Sequence, residues 1–325
     1  MDQILKSGYL CHPMQLYTVR RVTVSEGKAK GTEIIEVCTA DGLQADILPD
    51  AGLDIGQVRY KGANLSFISK NGYDSPAAID PYELEFLNTF PGGLLYTCGL
   101  RTTGAPHRDG GEWQTQHGRY HGLPAEPVAV YEEDGFIVIK GTVRETALFG
   151  YALELKRSIR ISIMGADITV SDEIRNLGFK DEEYALLYHC NFGYPLVCPD
   201  AHLELPEKRK TSPRTPFAET GLGRETTFDA PVPNEEERVF FHEEMERRAA
   251  IVNEKLRIRA ELCWSETLPI LAHWRSMASG DYVCALEPTN CYIMGRSAER
   301  ENGTLPKLSP FETVKTELKF HFEHI

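Results

Sequence analysis

The chain has 325 residues, 42% hydrophobic and 26% charged, ordinary values for a folded protein long enough to bury a sizeable core. Its formal net charge is −13 and its longest basic run is Lys208-Arg-Lys210, which argues against nucleic acid or an anionic membrane surface as a partner, because either needs a basic patch. No apolar run reaches the roughly 20 residues of a membrane span. Met1-Asp-Gln-Ile-Leu-Lys lacks the basic and apolar regions of a secretory signal. The 8 cysteines show no CxxC spacing and read as free thiols, so a cytoplasmic location is expected.

Strand patterns dominate in chain order. Glu33 to Cys38 and Leu43 to Leu48 flank Ala40-Asp-Gly42, a hairpin turn. Ile55 to Tyr60 and Asn64 to Ser69 follow as strands on either side of Lys61-Gly-Ala63. Residues 71–126 are irregular and rich in Gly, Pro and aromatics, with one short helix expected over Asp80 to Thr89, where Tyr82, Phe86 and Leu87 share a face. Irregular segments of that length are usually functional. Phe136 to Val143, Ala152 to Ile163 and the alternating run from Ile168 to Arg175 predict long antiparallel strands with one wet face.

Residues 199–238 read as a surface excursion. Strands resume at Arg248 to Asn253 and Arg257 to Trp264, then at Ile270 to Met277, Tyr282 to Leu286 and Thr313 to His324. The last alternates so regularly that it must tie the chain end into a sheet. No Gly-rich loop joins a strand to a helix, which disfavours a nucleotide-binding α/β fold. The pattern predicts an all-β protein, a large antiparallel β-sandwich forming a single domain over residues 1–325.

Two stretches carry candidate chemistry. In Leu186-Leu-Tyr-His-Cys-Asn-Phe192, alternation puts His189 and Asn191 on one face and Tyr188, Cys190 and Phe192 on the other. In Asp281 to Asn290, an apolar strand runs into Glu287 and Pro288. Burying a carboxylate without a partner is costly, so Glu287 is paired, at a rim or catalytic. The competing readings are a core histidine satisfied by a carbonyl and a solvated glutamate at a strand end. His117 and His121 lie four apart among glycines, which argues against a metal-binding helix. A metal site using them would need Glu126 or His107 as a third ligand. Trp113, Tyr120 and Trp274 offer flat faces suited to sugar rings, although isolated aromatics are more often core.

Several motifs together resemble the galactose mutarotase-like superfamily, the aldose 1-epimerases. They are Asp172-Glu-Ile-Arg-Asn-Leu-Gly178, Tyr188-His-Cys-Asn-Phe192, Leu286-Glu-Pro288 and the His-Gly pairs at His117 and His121. Gly52-Leu-Asp-Ile-Gly56, Gly92-Gly-Leu-Leu-Tyr-Thr-Cys-Gly-Leu100 and Leu286-Glu-Pro-Thr-Asn290 are similar to a bacterial branch known only as aldose 1-epimerase-like. The resemblance runs over nearly the whole chain. It departs from the family at Leu100-Arg-Thr-Thr-Gly104, where an Asn-Arg pair is usual, and at Asn191, where the family has a tyrosine.

The resemblance implies a supersandwich with an open, concave sugar site. Glu287 as base and His189 as acid would interconvert sugar anomers without metal or cofactor, with a small-molecule sugar as the partner. His117, His121, Arg119, Arg101, Asn191, Trp274 and Asn290 are expected around the substrate. Arg101, Arg119 and Arg296 are the arginines expected to meet a phosphate if the sugar carries one. A metal-dependent sugar isomerase and a non-catalytic carbohydrate-binding protein are the competing functions, since one fold supports several.

Overall fold

A computed structural model of the protein describes residues 6–75 and 85–325. Three antiparallel sheets carry the fold. A five-stranded sheet takes Tyr17–Thr23, Glu33–Thr39, Leu43–Leu48, Asp54–Tyr60 and Ala63–Asn64 in sequence order. An eight-stranded sheet runs, edge to edge, through Ala201–Glu204, Arg248–Asn253, Ile258–Trp264, Thr313–His324, Asp167–Asn176, Ala152–Ser162, Phe136–Thr146 and Ala129–Glu133. A six-stranded sheet runs through Lys210–Pro213, Arg238–Glu243, Ile270–Ala278, Asp281–Thr289, Ala185–Phe192 and Tyr96–Leu100.

The alternation in the sequence becomes the inside and outside of these sheets. In Thr313–His324, Leu318, Phe320 and Phe322 are buried while Lys315, Glu317 and Lys319 face solvent. That strand lies between Ile258–Trp264 and Asp167–Asn176, so the end of the chain is central to its sheet. Leu155, Ile159, Phe320, Ile35, Leu271 and Leu286 belong to one apolar core that draws on all three sheets. The hairpins expected at Ala40-Asp-Gly42 and across Arg248 to Trp264 are both present.

One expectation differs. Asn64 to Ser69 does not form a full strand; only Ala63–Asn64 pairs, and Ser66 and Ile68 make isolated bridges to Phe192 and Gly92. Here the chain crosses from one sheet to another. The expected helix is present as Glu85–Thr89, while Asp80 and Tyr82 lie outside the described residues.

One polar hub penetrates this core. Arg157, wholly buried, donates to Asp54 Oδ1 at 2.6 Å, to Asp172 Oδ2 at 2.7 Å and to Thr97 Oγ1 at 2.9 Å. Tyr188 donates its hydroxyl to Asp172 Oδ2 at 2.7 Å. Asp54 comes from the five-stranded sheet, Arg157 and Asp172 from the eight-stranded, Thr97 and Tyr188 from the six-stranded. Burial pushes the Asp54 carboxyl up to about 6 against the opposing pull of Arg157.

Candidate active site

The six-stranded sheet turns one face to the core and the other to a cleft. The strand Ala185–Phe192 is buried throughout, which accounts for its unbroken apolar run, yet its two faces differ. Tyr188, Cys190 and Phe192 join the core, and His189 and Asn191 point the other way, as their alternation predicts. The neighbouring strand Asp281–Thr289 runs past Glu287 rather than ending there. Leu187 pairs with Thr289 and Cys190 with Leu286, a register that puts His189 level with Glu287. No ladder pairing forms beside Pro288 on this side, because proline has no N–H to give.

Cross-strand neighbours on one face of an antiparallel pair have side chains in reach of each other. His189 Nε2 accordingly lies 3.2 Å from Glu287 Oε1. The two atoms touch without the alignment of a hydrogen bond, and Glu287 Oε1 keeps no hydrogen-bond partner. His189 Nδ1, His117 Nδ1 and Asn191 Oδ1 are likewise buried and unpartnered. Buried polar atoms are nearly always satisfied, and here three from one sheet face and one from the His117 loop are left free to meet a polar ligand. On the next strand, the small residue Ala272 stands beside Glu287.

The cleft has a volume of about 260 Å³, just under the roughly 300–1,000 Å³ of drug-sized ligand pockets. His189, Glu287, His117 and Trp274 line it together. Its walls are aromatic: Trp274 and Phe90 each lie 5.4 Å from the His189 ring, centre to centre, and Phe86 lies 5.0 Å from that of His117. Trp274 is held by a 2.7 Å bond from its indole nitrogen to Glu237. His117 owes its place to a backbone knot. Its N–H donates to Gly104, its carbonyl accepts from Gly99, and its φ of 57° is left-handed. At Gly118, also left-handed, a Cβ would meet the Gly99 carbonyl oxygen at 2.3 Å, so only glycine fits.

Burial sets the protonation of the site. It pushes Glu287 well above the usual carboxylate range, opposed by the positive charge of Arg214. It pushes His189 down to about 4. His117 falls well below the usual histidine range, first by burial and then by the neighbouring His189, His121 and Arg214. The ionised Glu287 and protonated His189 expected from the resemblance therefore face burial that opposes both charges. Burial thus favours the neutral form of each group, a carboxylic acid beside a neutral imidazole, over the ion pair. The neutral pair holds one proton, the same number as the ion pair.

The remaining expected contacts lie elsewhere. His121 stacks on Tyr96, 4.7 Å between ring centres, and lines a separate hollow rather than the cleft. Of the two histidines beside glycines, His117 is the one at the cleft. Arg101 is bound by Glu112 and Glu182, and Arg296 by Asp109 and Glu183. Arg119 is exposed. None of these three arginines lines the cleft. Asn191 is on the cleft face, but its amide donates to Gly93 and to the His189 carbonyl. Asn290 accepts from the Leu186 N–H and ties the two central strands together. Tyr120 is a core residue whose hydroxyl donates to Gly52, and Trp113 sits in a small hairpin under Arg108.

For the metal alternative, Glu126 is exposed and His107 is engaged by Ala105 and Arg296. Among the described residues, no three His, Cys, Asp or Glu side chains converge as metal ligands. No helix among them is long and apolar enough to cross a membrane. Arg214, Glu237, Phe86 and Phe90 are cleft residues that sequence reasoning missed. Arg214 and Glu237 come from the charged excursion, where composition reads as solvated surface. Only knowledge of which strands pair would have brought them here.

Comparison with known proteins agrees with this architecture. The family model described as a domain of unknown function, DUF4432, matches residues 29–322. A candidate aldose 1-epimerase of Klebsiella pneumoniae superposes with a TM-score of 0.87 at 24% identity, over 95% of this chain and 84% of that one. A galactose mutarotase-like protein of Clostridium acetobutylicum superposes at 0.69 with 14% identity, over 96% and 100%. One from Lactobacillus casei superposes at 0.58 with 13% identity, over 94% and 100%. At these identities the likeness is one of fold. No protein of curated function matches the sequence.

Proposed function

The chain belongs to the DUF4432 family and has the galactose mutarotase-like β-sandwich fold, and on that premise we propose that it is an aldose 1-epimerase, interconverting the anomers of a small sugar. The observation that carries the reading is the cluster of unpartnered buried polar atoms around the His189–Glu287 contact, at the base of an aromatic-walled cleft.

Ring opening needs one base and one acid on the same side of the sugar. The base takes the proton from the anomeric hydroxyl as the O1 electron pair forms the C1=O1 bond. The C1–O5 bond breaks, and its electron pair takes a proton from the acid. Rotation about C1–C2 and closure with the roles reversed give the other anomer. A pair holding one proton between Oε1 and Nε2 supplies both groups. If Glu287 is the base, the proton must first cross to His189. A sugar hydroxyl donating to the Glu287 carboxylate favours that form, because hydrogen bonds to a charged group stabilise it. If His189 is the base, the neutral pair that burial favours is already set. Each positioned group contributes roughly 10²–10⁴-fold.

The test is anomer exchange followed by NMR over a panel of neutral aldoses, uronates and sugar phosphates, with wild type, Glu287→Gln and His189→Asn. Exchange above the uncatalysed rate, lost in both variants, supports the reading. Sugar binding without faster exchange would make the protein a carbohydrate-binding module instead.

A further inference from the structure

Arg214 is an exposed residue at the cleft, and strand pairing fixes its backbone there. Pro213 pairs with Phe240, and the Arg214 N–H donates to the Val239 carbonyl at 2.9 Å. Val239 pairs with Trp274, Trp274 with Ala285, and Ala285 with Asn191. Arg214 therefore ends the cross-strand row that passes under the cleft, on the same face as His189 and Glu287. Thr215 follows and caps the short helix Pro216–Glu219 through its hydroxyl, so the backbone beneath the arginine is fixed from both sides.

The guanidinium has no carboxylate partner among the ion pairs of the described residues. Arg101, Arg209, Arg238, Arg296 and Arg300 all hold carboxylates. Glu237 also lines the cleft, yet it makes no ion pair with Arg214 and spends one oxygen on the Trp274 indole. The charge of Arg214 is felt at the acid–base pair, where it favours the Glu287 carboxylate, and at His117, where it disfavours protonation. An exposed cation without an ion pair, lining the cleft of a chain with net charge −13, is free to meet an anion there.

Its position limits where that anion can be. Three strand spacings of about 4.8 Å separate the strand of Arg214 from that of Glu287, roughly 14 Å between backbones. The reacting carbon must lie at the pair and keep a free hydroxyl. The guanidinium reaches into the cleft it shares with the pair, so the anionic group that meets it is carried on a part of the sugar away from the anomeric carbon. We infer that Arg214 forms an anion subsite, and that the substrate is an aldose with a carboxylate or phosphate remote from its anomeric carbon. This rests on the epimerase reading.

The experiment compares glucose, glucuronate and glucose 6-phosphate as exchange substrates for wild type, Arg214→Gln and Arg214→Lys, with inorganic phosphate as a competitor. Wild type is expected to show kcat/KM at least about 10-fold higher for one anionic sugar than for glucose, since charge-assisted bonds to arginine are strong. Arg214→Gln collapses that ratio and Arg214→Lys keeps part of it. The uronate and phosphate arms separate the two anions. Exchange of glucose with no anionic preference, or a preference that survives in Arg214→Gln, overturns the subsite and leaves the epimerase reading standing. If no sugar is turned over, the epimerase reading falls. Tryptophan fluorescence titrations then decide the subsite: tighter binding of an anionic sugar that depends on Arg214 upholds it, and equal binding of all three sugars overturns it. Melting curves of both variants check that each is folded.

Discussion

His189 Nε2 lies 3.2 Å from Glu287 Oε1 across two neighbouring strands, at the base of a cleft where both side chains are almost wholly buried. Such a contact makes the two residues one functional unit. Glu287→Gln and His189→Asn are each expected to lower anomer exchange by roughly 10²–10⁴-fold. The double variant should be little worse than either alone, because a unit broken once is broken. Fully additive losses, measured as kcat by NMR, would mean that the two act separately.

The pH profile of exchange should be bell-shaped, with a broad plateau. The pair works while it holds one proton. As pH falls through about 4, His189 gains a second proton and the base is lost. As pH rises through the elevated range of Glu287, the last proton leaves and the acid is lost. Removing Arg214 by substitution with Gln should move the alkaline limb upward, because its charge favours the carboxylate form. A profile without an acid limb would dissociate His189 from the reaction.

His117 and His121 should separate cleanly. His117 lines the cleft with its Nδ1 unpartnered, whereas His121 is stacked on Tyr96 outside it. His117→Phe should raise KM or lower kcat by about 10-fold or more, the cost of one lost hydrogen bond to the substrate. His121→Phe should stay within roughly threefold, since its ring contacts can be kept. The reverse order in steady-state kinetics would reassign the substrate contact.

Trp274 depends on Glu237 for its orientation. Glu237→Ala should release the indole and raise KM roughly 3–10-fold with less effect on kcat. Glu237→Gln keeps an acceptor for the indole N–H and should restore most of the loss. A kcat effect larger than the KM effect would place Glu237 in the chemistry itself.

Arg157 is predicted to matter for stability. Arg157→Met leaves Asp54 and Asp172 buried without their cation, a change that typically costs about 3–5 kcal/mol. Urea unfolding monitored by circular dichroism measures it. Substituting both aspartates by asparagine in the same background should recover part of the loss.

The sandwich was legible because period-two alternation is a local property. Asp167–Asn176 and Thr313–His324 show it residue by residue, and no partner strand is needed to read it. The orientation of His189 against Tyr188 was legible for the same reason. What local pattern does not carry is pairing. The register that sets His189 level with Glu287 joins residues about 100 apart, and the placement of Arg214 depends on three successive pairings. The direction in which burial shifts each group was not legible, because burial is a product of the whole fold. Arg101 and Arg296 looked available because most of their carboxylate partners, Glu182 for the first and Asp109 and Glu183 for the second, come from distant segments.

The strand Ala185–Phe192 gives alternate residues to two incompatible surroundings. Tyr188 reaches the charged hub under the sheet, and His189 faces the ligand above it. A single-residue insertion or deletion upstream in this strand would exchange the two. It would drive an imidazole against Asp172 and Arg157 and set a phenol beside Glu287. Diversification at this site is thus confined to point substitution. The two central strands must keep their count, and any redesign of the cleft has to treat that count as fixed.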